Sequence, residues 1–416
     1  MSPLGALRRL WRALPVPGAL RRKLGATIFA LAQARQKEAS VRPRAGWRIK
    51  KGPLILSGFI KDVMGLGRAA RLTASALDAA GLPCLRHDLR PVLHFDPNIP
   101  YTEVPFPDAP GGGVLILHCN APEATAFFNN IPARFWADRY RIGIWAWELE
   151  ELPEDWRPVC RRFHEIWAPS RFVADAVRPH ARSVKVMPHP LTDTAAAAPD
   201  RARFGFREGV FVFAAMADGR STLTRKNPLG AVQAFRRAFP EPTQAASLVV
   251  KLVNPDADPA GLAPLKAAAE GRPDIILYTE NLSDAEMLSF LASIDGLLAL
   301  HRSEGFGLSM AEALSLAKPV IATGWSGNTD FMTGALVEGL VRYDLIPVND
   351  LSGRYQGSRW ADPDLDHAAE LIRKLVRDPD FRRRLAEAGP AAAAELNAPW
   401  TRERLLGQAF TRYLRS

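Results

Sequence analysis

Residues 299–331 read ALHRSEGFGLSMAEALSLAKPVIATGWSGNTDF. A short apolar strand, Gly296 to Leu300, runs into a loop, His301 to Gly307, and then into a helix, Leu308 to Ala317. Lys318-Pro319 stops the helix, since proline has no amide to carry the ladder on. Val320-Ile321-Ala322 is the next strand. Strand, loop, helix and strand make one unit of a doubly wound α/β sheet, in which ligands bind at the carboxyl ends of the strands. Gly305 and Gly307 permit a tight loop and close approach. The amides of Gly307, Leu308 and Ser309 lie at the helix start, unpaired and at the positive end of its dipole, where an anion is stabilised. Glu304 and Glu312 bracket this loop. A carboxylate beside an anion is repelled unless it binds hydroxyls, so the pair points to a sugar or a ribose next to a phosphate.

This pattern resembles the retaining glycosyltransferases of family 4, where two glutamates at this spacing flank a nucleotide-diphosphate site. Asp218-Gly219-Arg220, running to Arg225-Lys226-Asn227-Pro228, is similar to that family's Arg/Lys pair after the first strand of the C-terminal domain. Gly327-Asn328-Thr329-Asp330 is similar to its later Gly-rich loop, with Asp330 where glutamate is more usual. The resemblance runs from about residue 50 to the end and is most specific in the C-terminal half. It implies a GT-B fold of the α/β class: two Rossmann-like doubly wound domains facing a central cleft, with a C-terminal helix returning to the first. The expected division is a basic segment 1–51, an acceptor domain 52–191, a linker 192–209, a donor domain 210–395 and a returning helix 396–416.

Composition agrees with a folded two-domain chain. A chain of 416 residues exceeds what one core usually supports. Cys84, Cys119 and Cys160 are scattered without pairing or metal spacing, as suits a reducing cytosol. Residues 1–51 hold 13 Lys or Arg against one acid, Glu38, which exceeds the +10 of the whole chain. The body is therefore slightly acidic, which argues against a nucleic-acid-binding surface. Leu7, Leu10, Trp11 and Leu14 lie at helical spacing beside Arg8, Arg9 and Arg12, and Arg21-Arg22-Lys23 precedes the apolar stretch Leu24 to Ala34. Such a segment suits an interfacial helix on an anionic membrane surface, or else a solvated arm or an extra helix on the body. No apolar run is long enough to span a bilayer. The expected location is cytoplasmic, with peripheral attachment to the inner membrane as the added expectation from residues 1–51.

Along the chain, Leu54 to Gly58 is the first buried strand. Met64-Gly65-Leu66-Gly67-Arg68 reads as a Gly-rich turn and Ala69 to Ala80 as the helix after it. Gly65 and Gly67 either face the substrates or serve packing alone. Val114 to Leu117 delivers His118 at a strand end, where it hydrogen-bonds the donor sugar, orients the acceptor, or rests in a satisfied network. Arg141 to Trp145 delivers Trp147 and Glu148, a ring and an acid suited to an acceptor saccharide, while Trp145 reads as core. Ser170 and Ser283 cap helices that start at Arg171 and Asp284.

The resemblance implies a retaining transfer from a nucleotide-diphosphate sugar, GDP- or UDP-linked, to a saccharide or lipid-linked acceptor. The implied setting is bacterial surface polysaccharide or lipopolysaccharide synthesis. Lys226 and Arg220, with Arg225 as rival to Arg220, would neutralise the diphosphate as charge builds on the leaving oxygen. Glu304 would hold the sugar, Glu312 the ribose, and the stretch Gly305, Phe306, Gly307, Leu308 and Ser309 the phosphates. No metal and no further cofactor are expected. The rival readings are a nucleotide-sugar epimerase or hydrolase of the same fold, and a non-catalytic membrane-surface binding protein.

Overall fold

The strand Leu54–Gly58 (β1) is buried along its whole length, as befits a parallel strand covered on both faces. It pairs in parallel with Cys84–Asp88 (β2) on one side and Val114–His118 (β3) on the other. Tyr140–Ile144 (β4), Glu165–Ala168 (β5) and Val184–Val186 (β6) continue the sheet, giving the order β2-β1-β3-β4-β5-β6. A second six-stranded sheet has the order β12-β11-β10-β7-β8-β9. It is built from Phe211–Asp218 (β7), Ala246–Val253 (β8), Ile275–Tyr278 (β9), Gly296–Ala299 (β10), Val320–Thr323 (β11) and Leu340–Val341 (β12). In each sheet the order reverses once, between β1 and β3 and between β7 and β10, and crevices for ligands open at such points. A two-stranded antiparallel ribbon, Tyr343–Pro347 (β13) with Arg359–Pro363 (β14), was not foreseen from the sequence.

This computed structural model describes residues 49–62, 64–93, 111–192, 197–349, 355 and 357–415. The basic segment falls outside the described residues except for 49–51, as do most of the Pro-rich loop 91–113 and part of the 192–209 stretch. Among the described residues no helix is long and apolar enough to cross a membrane. The three cysteines are unpaired.

The first helix, Gly65–Ala79 (α1), begins four residues earlier than the glycines suggested. Met64 is its N-cap residue, and its amide donates to Asp62 Oδ1 at 3.1 Å. Gly65 and Gly67 are therefore first-turn residues and not a separate loop. Gly67 is required by packing, since a Cβ there would stand 2.2 Å from the Asp62 carbonyl oxygen. Ser170 caps Arg171–Val177 (α2) as expected, its Oγ accepting from the Val173 amide. In the second half, short α3 (Leu223–Lys226) is followed by α4 (Pro228–Ala238), α5 (Asp284–Ser293), α6 (Leu308–Ser315), α7 (Leu365–Arg377) and α8 (Pro379–Asn397). Ser283 and Glu286 form a reciprocal capping box at α5. Phe204 and Phe206, within the 192–209 stretch, are buried against Phe290 of α5.

The chain end returns to the first sheet. Trp400 packs edge-on to Trp167 of β5 at 5.8 Å, and its indole donates to Pro188 O at 2.7 Å. The short helix Arg402–Leu406 (α9) follows, and Arg402 donates to Ala80 O at the end of α1. Phe410 also packs on Trp167, and Gly52 donates its amide to Tyr413 O at 3.0 Å.

Candidate active site

A cleft of about 2080 Å³ is lined from both halves. Its walls include α1, the stretch after β4, the loops after β7 and β10, and the start of α6. Among the described residues, four of the five with positive φ other than glycine lie in loops that follow strands of the second sheet: Thr222 (φ 59°), Asn227 (52°), Asn254 (46°) and Ser326 (74°). Strained backbone of this kind persists where surrounding structure over-determines it, and such positions cluster at functional sites. The Asn227 side chain explains its own case. Its amide donates to Leu300 O at 2.8 Å and its oxygen caps α4 at Gly230, so the loop after β7, where α4 starts, is tied to the end of β10.

Glu304 lies between the two tied loops and is 8% exposed. Its amide donates to Ser326 Oγ at 2.9 Å, and its carbonyl accepts from Gly327 at 2.9 Å. The Lys226 ammonium donates to the Glu304 carboxylate. Arg225 Nη1 lies 3.5 Å from Glu304 Oε1, and Nη2 lies 3.6 Å from Glu148 Oε1. Arg225 is itself fixed by donation to Ser303 O at 2.7 Å. Burial opposes ionisation of Glu304, but the Lys226 and Arg225 charges outweigh it and hold the carboxyl down at about 2. Burial also opposes the Arg225 charge, and Tyr355, Glu148 and Glu304 together raise its pKa above the ordinary value. Glu148 differs from Glu304. Burial raises its pKa, only partly offset by Arg225, and Tyr355 Oη donates to its Oε2 at 3.3 Å.

The helix α6 starts as expected at Leu308, with Gly307 at φ 96° as its N-cap residue. Leu308 and Ser309 amides have no partner within the helix and line the cleft. Gly305 is needed for a close approach from the first half, because a Cβ there would lie 2.6 Å from the Trp147 carbonyl oxygen. Phe306 is buried and packs edge-on to His189 at 5.1 Å. Glu312 lines the cleft one turn into α6, and its carboxylate accepts from Arg68 Nε at 2.5 Å.

The two arginines after β7 stand apart. Arg225 is buried between carboxylates, while the Arg220 side chain is half exposed on the cleft, 3.6 Å from Asp62 Oδ1. Trp147 lines the cleft but is mostly covered, its indole donating to Glu151 O and its ring tilted 5.6 Å from Tyr355. Glu148, read from the sequence as facing an acceptor, stands across from Arg225 in the charged cluster of the second half. Gly65 lines the cleft, whereas Gly67 is outside its lining and packs against Asp62.

His118 is likewise outside the cleft lining. It is fully buried at the end of β3 with its ring stacked 5.6 Å from His189, and it is His189 that reaches the cleft. Burial and the neighbouring His189 push the His118 pKa well down, and neither ring nitrogen has a hydrogen-bond partner among the described residues. The ring of His118 thus lies behind His189, one layer back from the cleft.

Several cleft residues carry no signal in the sequence. Arg68 was visible as the residue after Gly-Leu-Gly, but its partner Glu312 lies in the other half of the sequence. Tyr355 belongs to no motif in the sequence. Lys251, inside β8, also lines the cleft; burial lowers its ammonium pKa to about 8 against the pull of Asp218 and Glu280. Among the described residues no cluster of His, Cys, Asp and Glu could hold a metal ion.

No family model matches the chain. A trehalose synthase of Rubrobacter xylanophilus is 28% identical over 169 residues, which are 39% of this chain and 35% of that protein. The match therefore spans about a third of that relative's length. Among solved structures, sucrose-phosphate synthase from Thermosynechococcus elongatus superposes with a TM-score of 0.63 at 13% identity, covering 87% of this chain and 99% of the other. Anabaena HepE, solved with UDP and glucose, gives 0.55 at 12% identity, covering 84% and 96%. WaaG, a glycosyltransferase involved in lipopolysaccharide biosynthesis, gives 0.54 at 13%, covering 89% and 99%. At these identities the likeness establishes the architecture: the chain has the α/β fold of the GT-B glycosyltransferases, with two parallel six-stranded sheets.

Proposed function

We propose that the chain is a retaining glycosyltransferase of the family 4 type, which moves a sugar from a nucleotide-diphosphate sugar to a saccharide or lipid-linked acceptor. The observation that carries this reading is the pairing of Lys226 and Arg225 with Glu304 at the β7/β10 switch point, beside the open helix start at Leu308. Cations and backbone amides converge there on one place where an anion fits, and a buried carboxylate held ionised stands next to it. A leaving diphosphate needs such donors as its bond to the sugar breaks. Glu304 accepts hydrogen bonds from the transferred sugar and Glu312 from the ribose. Lys226 and Arg220 meet the diphosphate, and the first half, with Trp147 and Glu148 at its edge, receives the acceptor.

In the proposed step the bond from the anomeric carbon to the diphosphate oxygen breaks, and the acceptor oxygen bonds that carbon on the same face. The acceptor proton passes to the departing diphosphate oxygen. Uridine is the first base to test, because a structural neighbour was solved with UDP and with UDP-glucose; guanosine is the second. The setting we propose is surface polysaccharide or lipopolysaccharide synthesis at the cytoplasmic face of the inner membrane, with residues 1–51 on the lipid surface.

The test is nucleotide release from a panel of UDP- and GDP-sugars by wild type, Glu304→Ala and Lys226→Ala. Release of one nucleotide by wild type, lost in both variants, is the expected result and names the donor. Release that survives both substitutions would place the chemistry elsewhere. Retention is read from the anomeric configuration of the product by NMR, and an inverted product refutes it.

A further inference from the structure

Arg68 sits in the first turn of α1, on the first half of the chain, yet its partners belong to the second. Its Nε donates to Glu312 Oε1 at 2.5 Å, and its Nη1 lies 2.9 Å from Asp284 Oδ1 at the start of α5. Asp284 is held in turn by Arg71 through Nε and Nη2, both at 2.8 Å. Arg68 is 8% exposed and Glu312 3%, and both line the cleft. Arg68 Nη2 is buried without a partner among the described residues, and no second hydrogen bond reaches the Glu312 carboxylate among them. A surface ion pair that merely tethered the two halves would have no reason to lie inside the cleft with hydrogen-bonding capacity left over on both members.

We propose that Arg68 is a donor-positioning residue: its Nε bond fixes the Glu312 carboxylate and leaves the second oxygen for the ribose hydroxyls of the donor. The proposal rests on the reading of the cleft as a nucleotide-sugar site. The chemistry follows from the carboxylate. An ionised Glu312 only accepts hydrogen bonds, which matches a ribose diol that donates two. Burial disfavours that ionised form and raises the Glu312 pKa, and the Arg68 guanidinium offsets part of the rise. Because Arg68 comes from the first half and Glu312 from the second, the ribose subsite is complete only with both.

The experiment is an equilibrium titration with UDP, GDP and ADP to find the nucleotide that wild type binds. That nucleotide and its 2′-deoxy form are then titrated into Arg68→Met, Arg68→Lys, Glu312→Gln and the double variant Arg68→Met/Glu312→Gln. Wild type should prefer the ribonucleotide by about tenfold or more, the size expected for a hydrogen bond to a charged group. Arg68→Met and Glu312→Gln should each lose that preference, and the double variant should lose no more than either, because the two residues act as one unit. Arg68→Lys should keep part of it. Equal weakening toward both nucleotides in Arg68→Met, or a fully kept preference, overturns the proposal. Should Arg68→Met not fold, Arg68→Lys takes its place in the cycle, and additive losses with Glu312→Gln then overturn it. A wild type that binds none of the three nucleotides refutes the nucleotide-sugar reading itself. One that binds without ribose preference refutes only the role of Arg68.

Discussion

Replacing Lys226 with alanine should change the acid response of the whole chain, because Lys226 is the nearer of two cations that keep Glu304 ionised. Glu304 is held at about 2 against an ordinary 4.5. A depression of that size is linked to about 3 kcal/mol of folding stability. The folded pKa is the lower one, so this contribution is complete above 4.5 and fades as pH falls from there toward about 2. Lys226→Ala leaves Arg225 alone at 3.5 Å. Losing the closer partner should remove about 1–2 kcal/mol at pH 7. The assay is urea unfolding of wild type, Lys226→Ala, Glu304→Gln and the double variant, at pH 7 and at about pH 3. The loss caused by Lys226→Ala should shrink at the lower pH and nearly vanish in the Glu304→Gln background. An equal loss in both backgrounds would mean that Lys226 stabilises the fold by packing, and the electrostatic reasoning would fail.

The other expectations concern neighbouring groups. Arg225→Ala should remove about 1–3 kcal/mol of stability, because it leaves Glu148 without its nearest cation and Glu304 with Lys226 alone; Arg220→Ala should leave the melting temperature in place and raise the donor KM, and the reverse pattern would exchange their roles. Gly307→Ala should lower both melting temperature and nucleotide affinity, since φ 96° is strained for alanine by about 1–3 kcal/mol and its Cβ would meet Met310 Cε at 2.3 Å; unchanged stability would contradict the backbone argument. Glu148→Gln should raise the melting temperature at pH 7 and not at about pH 4, because burial raises the Glu148 pKa and the stability tied to its protonated form is lost as pH rises; an equal effect at both values would refute it. Full-length chain should pellet with anionic vesicles and a chain lacking residues 1–51 should not, and equal pelleting would rule out the lipid role.

What could be read in advance was local. The loop and helix from His301 to Ser315 follow from glycines, a helix start and a proline stop, all within one stretch, and the helix begins at the expected residue. Ser170 and Ser283 cap as expected for the same reason: a cap bonds a neighbour three residues on. The helix α1 starts ahead of its expected place because Gly-x-Gly reads as a turn, while the actual need for Gly67 is a carbonyl oxygen from the preceding loop. His118 could not be placed, because a strand end says nothing of which ring lies in front of it. Arg68 with Glu312 and Tyr355 with Glu148 join residues hundreds of positions apart, and only the folded sheets bring them within reach. The ribbon β13–β14 carries Asp and Pro at several positions, so its strands lack the apolar alternation that would announce them.

The separation of roles between Arg225 and Lys226 has a physical rationale. On the proposed reading the donor must take Lys226 for its diphosphate and Glu304 for its sugar, yet in the present structure these two bond each other. Donor binding then exchanges one ion pair for two contacts, a cation to phosphate and a carboxylate to hydroxyls. Neutral hydroxyls replace a full positive charge beside Glu304, and a carboxylate so deeply buried would then tend to take up a proton. Arg225 prevents this. It stays 3.5 Å from Glu304, it is anchored to the Ser303 carbonyl, and Tyr355 and Glu148 keep it charged. A mobile lysine that changes partner next to a fixed arginine that does not is the arrangement that lets one carboxylate serve both before and after the donor arrives.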